Sequence, residues 1–178
     1  YIRYLIFRSD VKSYLRSKVI VTALSAFMTI FLGKMLVAGM IRMFYPMAGR
    51  LAQYDPAKGG IDCLMAISPW GYVLADAFLY AMAGAAFALL ALLVSAVARN
   101  TFVTIMSPMV LYFMISSVTQ WLHLPQWLEI FGLCMGYIEI YEDSVLLTIL
   151  HICLVWIVFM GLIGVCFIRY GERRFQNE

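Results

Sequence analysis

The side chains in this sequence that could do chemistry are few and scattered. There are two histidines, His123 and His151. Neither sits in an HExxH pair, and no Glu-Glu or Asp pair lies within an apolar run to complete an intramembrane metal site. His151 falls inside such a run and reads as a hydrogen-bonding residue between helices rather than a catalytic one. No GxSxG turn offers a nucleophile, and no Gly-rich loop offers a phosphate cradle. The expectation is therefore no catalytic residue, no metal site and no cofactor bound by this chain. The cysteines Cys63, Cys134, Cys153 and Cys166 form no CxxC pair. Cys153 and Cys166 behave as small hydrophobes in an apolar stretch. Cys63 and Cys134 fall on one side of a membrane, where an oxidising compartment would let them pair.

Two ionisable residues enter apolar stretches: Lys34 and Asp76. Lys34 lies roughly 24 Å from the basic end of its stretch, at about 1.5 Å per residue. Asp76 lies about one turn inside its own. Each reads as a rim residue with access to water, its side chain reaching outward. The alternative is a candidate outer ion pair, with Lys34 and Asp76 bridging the first two spans or lining a vestibule.

The elements that position these residues follow from composition. Of 178 residues, 64% are hydrophobic and 13% charged, against roughly half and a quarter in a soluble domain. Mean hydropathy is +0.89. A soluble fold of this composition would leave too much apolar surface wet. Four stretches suffice to cross a hydrocarbon core of roughly 30 Å, which takes about 20 helical residues. They run over about 19–41, 72–98, 101–122 and 144–168. Lipid offers backbone groups no partner, so the spans are helices. The predicted class is an all-α integral membrane protein with a single transmembrane domain over 1–178.

Orientation follows from the basic residues. Arg3, Arg8, Lys12, Arg16, Lys18, Arg99, Arg169, Arg173 and Arg174 collect on one side, nine of the thirteen. Asp55, Asp62, Glu129, Glu139, Glu142 and Asp143 collect on the other. The first side is expected to be cytoplasmic, with both ends of the chain there. The net charge of +3 is spread over helix ends, which does not suggest nucleic-acid binding.

Three further segments carry a pattern. Residues 9–18 read as an amphipathic cytoplasmic helix. Ser9-Asp10 starts it, Val11, Tyr14, Leu15 and Val19 fall on one face, and Lys12, Arg16 and Lys18 lie off that stripe. It fits either an interfacial helix on anionic headgroups or a docking helix for a soluble partner. In the second span, Ala81, Gly84, Ala85 and Ala88 form a small-residue stripe that lets helices approach, within the subunit or across a dimer. The segment 123–143 is too apolar for a solvated loop and too interrupted for a span. It is expected to form short re-entrant or interfacial helices. Ser107-Pro108 reads as a kink in the third span.

The order of these features resembles the permease subunit of type 2 ATP-binding-cassette exporters. The residues that carry the resemblance are "SDVKSYLRSK" entering a span and "ISPWGYVLADAFLY" opening the next. "ALLVSAVARNTF" then ends at a tight turn, "LPQWLEIF" precedes a semi-apolar segment, and a final span ends in "RYGERRF". The resemblance covers essentially the whole chain, matched to the last four of six spans. The chain begins at Tyr1 rather than Met, and two further spans are expected upstream. The resemblance implies that Asp10, Val11, Lys12, Tyr14, Leu15 and Arg16 form a coupling helix docked on a separate ATPase subunit, which binds ATP and Mg. It implies re-entrant helices over Leu124 to Tyr141, although "GLCMGYIEIY" replaces the Asn-Pro-type turn often found there. It implies a second permease copy, a plasma-membrane location and export driven by ATP. An intramembrane enzyme or an accessory membrane protein is the other class that the composition allows.

Overall fold

The computed structural model describes residues 11–45, 61, 64, 68–98, 100–122, 130–136 and 144–177. Among them are five α-helices and no strand. They are α1 (Val11–Phe44), α2 (Pro69–Val97), α3 (Thr101–Trp121), α4 (Ile130–Met135) and α5 (Val145–Asn177). Helices α1, α2, α3 and α5 are each long and apolar enough to cross a membrane. The chain is thus a multi-pass membrane protein.

The helices start and stop where local chemistry dictates. Ser68 caps α2: its hydroxyl accepts a hydrogen bond from the Gly71 amide at 3.2 Å. Pro69 follows at the first helical position, where its missing N–H costs nothing. The span therefore opens at Pro69 rather than at Tyr72. Asn100 caps α3, its side-chain oxygen accepting from the Phe102 amide at 2.9 Å. Helix α3 runs on through Pro108. Pro108 has no N–H for the Thr104 carbonyl one turn back, and the Ser107 hydroxyl donates to that carbonyl at 3.0 Å instead.

Two helices run past their apolar stretches. Helix α1 starts at Val11, so the amphipathic segment expected as an element of its own is the first turns of one unbroken helix. Nothing between Val11 and Leu32 breaks it. Helix α5 continues through Arg169 and Arg173 to Asn177 instead of ending at 168. Its tail is packed: a side chain at Gly171 would collide with Leu15, and one at Gly164 would touch Val19. Leu15 is the buried residue of α1. The apolar stripe of the amino-terminal segment is therefore used inside the molecule, against α5.

Helix α2 is the centre, contacting each of the other four helices. Half of its most apolar stretch is buried, whereas none of the most apolar stretch of α1 or of α3 is. Its buried residues include Ala77, Ala81, Ala83, Ala85 and Ala86. Small side chains bring backbones close, which maximises dispersion contact where lipid supplies no hydrophobic drive between helices. At Gly84 a side chain of α1 lies against the α2 backbone. A methyl group there would run into the Ile30 side chain of α1. The stripe Ala81, Gly84, Ala85, Ala88 thus packs within this chain, with Ala81 and Ala85 buried and Ala88 half-buried.

Of the expected re-entrant segment, the described part is α4 and Gly136. Leu133 and Cys134 are buried with Leu79, Ile152 and Trp156 in one apolar cluster. The Trp156 indole N–H donates to the Leu133 carbonyl at 3.4 Å. Gly136 ends the turn with φ +73, a left-handed conformation suited to glycine. Burial pushes the Cys134 thiol up to about 11, so it stays protonated at neutral pH. Cys134, Cys153 and Cys166 are free thiols. Cys63, the other half of the candidate disulfide, lies outside the described residues, as do His123 and most of 124–141.

The packing at Gly84 gives a direct expectation. Gly84→Val will destabilise the purified protein by about 1–3 kcal/mol, the usual cost of overpacking. Gly33→Ala will not, because nothing lies within 4 Å of a side chain placed there. Thermal unfolding in detergent, followed by tryptophan fluorescence, separates the two.

Candidate functional site

Close approach of α1 and α2 brings together the two ionisable residues of the apolar stretches. The Lys34 ammonium lies 2.7 Å from Asp76 Oδ2. The same ammonium sits 3.2 Å from the ring centroid of Tyr80. Asp76 and Tyr80 are four residues apart on α2 and so share one face. Carboxylate and aromatic ring together form a seat that holds Lys34 from two directions. The side chains of Lys34 and Asp76 are 35% and 24% exposed. The pair is thus neither a surface contact nor sealed. Its worth lies between the roughly 0–1 kcal/mol of a surface pair and the 3–5 kcal/mol lost on breaking a buried one.

The pair forms the floor of a cleft of about 350 Å³ between α1 and α2. Gly33, Val37, Ala38, Ile41 and Val73 make its walls. The absent side chain of Gly33 leaves space beside Lys34. Further along the same seam, the Arg42 guanidinium lies 5.9 Å from the centroid of the Trp70 ring. The site is therefore a groove with apolar walls, a charge-paired floor and a cation stacked on an aromatic ring near its rim.

A second charged region lies at the other end of α1. Lys12, Arg16 and Lys18 are exposed there, beside exposed Arg169 and Arg173 of α5. Lys12 reaches Glu172 at 3.8 Å, with the two side chains 55% and 27% exposed. Such a contact adds little stability. Of the residues expected in a coupling helix, Lys12 and Arg16 face solvent, Val11 and Tyr14 are half-buried, and Leu15 is buried. Asp10 lies outside the described residues.

The remaining candidates are dispersed. His151 is half-buried in α5. No group of three or more His, Cys, Asp or Glu side chains among the described residues could hold a metal. Sequence reasoning missed Tyr80 as the aromatic seat of Lys34, although its i+4 spacing from Asp76 was visible. It also missed the approach of Arg42 to the Trp70 ring, which no spacing rule connects between two helices.

If the ion pair acts as a unit, its members fail together. Lys34→Ala, Asp76→Ala and the double change should lower function equally, because either single change already destroys the pair. In thermal unfolding, the cycle should give a coupling energy of about 1–3 kcal/mol. Additive losses would mean that the two residues act independently.

Compared with protein-family models, curated proteins and solved structures, the chain matches none.

Proposed function

We propose that this chain is the permease subunit of an ATP-driven exporter of the type 2 ATP-binding-cassette kind. Two copies would enclose a path through the membrane, and a separate ATPase would bind ATP and Mg. The basic ends of α1 and α5 would face the cytoplasm, since positive charge is retained on that side. ATP-driven closure of the ATPase would shift the permeases between inward- and outward-facing states.

One observation carries this reading. Helix α1 is a single rod of 34 residues, with an exposed basic face at one end and Lys34 of the cleft further along. At about 1.5 Å per residue, Arg16 and Lys34 are roughly 27 Å apart. A push on the basic end tilts or slides the whole rod, because no break in the helix absorbs it. Internal packing of Leu15 and Val19 on α5 turns the polar face of this segment outward. That favours a docking role over an interfacial helix, whose apolar stripe would have to be free for lipid. The long apolar faces of α3 and α1, including Ile20, Leu24, Phe102, Ile105 and Phe113, are then available to lipid or to the second copy.

A P-loop ATPase encoded beside this chain is the expected genomic context. In the purified complex, Arg16→Glu should weaken ATPase binding by about tenfold, equal to ~1.4 kcal/mol. Tyr14→Ala and Arg16→Glu should both abolish transport-coupled stimulation of ATP hydrolysis while leaving membrane insertion unchanged. If both variants co-purify with the ATPase and transport normally, the basic end of α1 is not the coupling element. In that case an accessory membrane protein is the better reading.

A further inference from the structure

The cleft between α1 and α2 combines three properties that together define a ligand. Its volume of about 350 Å³ is at the small end of the range for organic ligands, about a dozen water volumes at ~30 Å³ each. Its walls are apolar and open toward the outer face of α1, where Val37 and Ile41 are 56% and 55% exposed among Leu36 and Met40. In a bilayer that face meets acyl chains. Whatever enters sideways therefore brings an apolar body.

The floor decides the head group. Lys34 and Asp76 neutralise each other, so the floor has no net charge to offer. An anion would gain Lys34 only by confronting Asp76, and a cation would meet the reverse. Either would also leave water, a cost of several kcal/mol that an already satisfied pair cannot offset. A neutral polar group faces neither penalty. An ammonium has three donors and a carboxylate about four acceptor positions, so the contact between them and the approach of Lys34 to the Tyr80 ring still leave both with capacity in the cleft they line. A group with a donor and an acceptor side by side can bridge them.

We propose that this cleft binds neutral amphiphiles carrying an amide or hydroxyl head on a short apolar tail. The site stands whether or not the chain is a transporter, because it needs only the charge-paired floor and the lipid-facing walls.

Photolabelling tests this directly. The full protein in phosphatidylcholine nanodiscs is exposed to three alkyl-diazirine probes of one chain length. Their heads are a primary amide, a carboxylate and an ammonium, and labelled residues are mapped by mass spectrometry. The amide probe should label Val37, Ala38, Ile41 or Val73 by about tenfold or more over either charged probe. Ala38→Trp should remove that labelling by filling the cleft. Asp76→Asn, which leaves Lys34 unpaired, should shift preference to the carboxylate. Lys34→Gln should shift it to the ammonium. The double change Lys34→Gln with Asp76→Asn restores neutrality and should restore the amide preference, which also shows that the fold is kept. Equal labelling by all three heads would overturn the proposal. So would labelling spread evenly over Leu24 and Leu32, or single variants that leave the preference unchanged.

Discussion

The approach of α1 to α2 at Gly84 is the contact on which the rest of the molecule depends. A helix packed through small residues lets its neighbour's side chains lie directly on its backbone. Ile30 occupies the space that a side chain at Gly84 would need. This contact belongs to one register of two antiparallel helices, the same register that decides what meets further along the seam. One turn beyond Ile30, Lys34 meets Tyr80 and Asp76; still further, Arg42 meets Trp70. In lipid, a lysine and an aspartate that missed each other would each carry the cost of an unpaired charge. The small-residue ridge and the ion pair thus favour the same register.

The other contacts extend this arrangement. On its other sides α2 buries larger residues, Leu79 and Met82 against α4 and α5 and Leu89 and Leu90 with Ile163 of α5. Trp156 of α5 is buried in the cluster with residues of α2 and α4, and its indole N–H donates to the Leu133 carbonyl of α4. Ser107 does the same for the carbonyl that Pro108 leaves unbonded in α3. Each is a local answer to the same constraint: inside an apolar environment, backbone polar groups must find partners within the protein.

The basic end of α1 and the residues that α1 lends to the cleft lie on one unbroken helix. Leu15 and Val19 tie the first turns of α1 to the tail of α5, which explains why both helices continue past their apolar stretches. The proposed coupling role rests on exposed charge at this end of α1 and a paired charge further along the same helix.

The sequence by itself determined the class of this protein and the positions of its four long helices. An apolar stretch of sufficient length must be helical in lipid, whatever its neighbours are. It also singled out Lys34, Asp76 and the small-residue stripe, because charge and glycine are conspicuous in such stretches. It could not determine partners. Periodicity shows which residues share a face, but not which helix that face meets. Only the tertiary structure decided that Lys34 lies on Asp76 and Tyr80, that Gly84 receives Ile30, and that the stripe around Leu15 is occupied by α5. The amphipathic pattern of residues 11–19 is the clearest case. On a sequence, an apolar stripe beside basic residues describes a helix lying on a membrane as well as one packed on a neighbour. The difference is whether another helix already covers the stripe, and here Gly171 and Gly164 make room for it to do so.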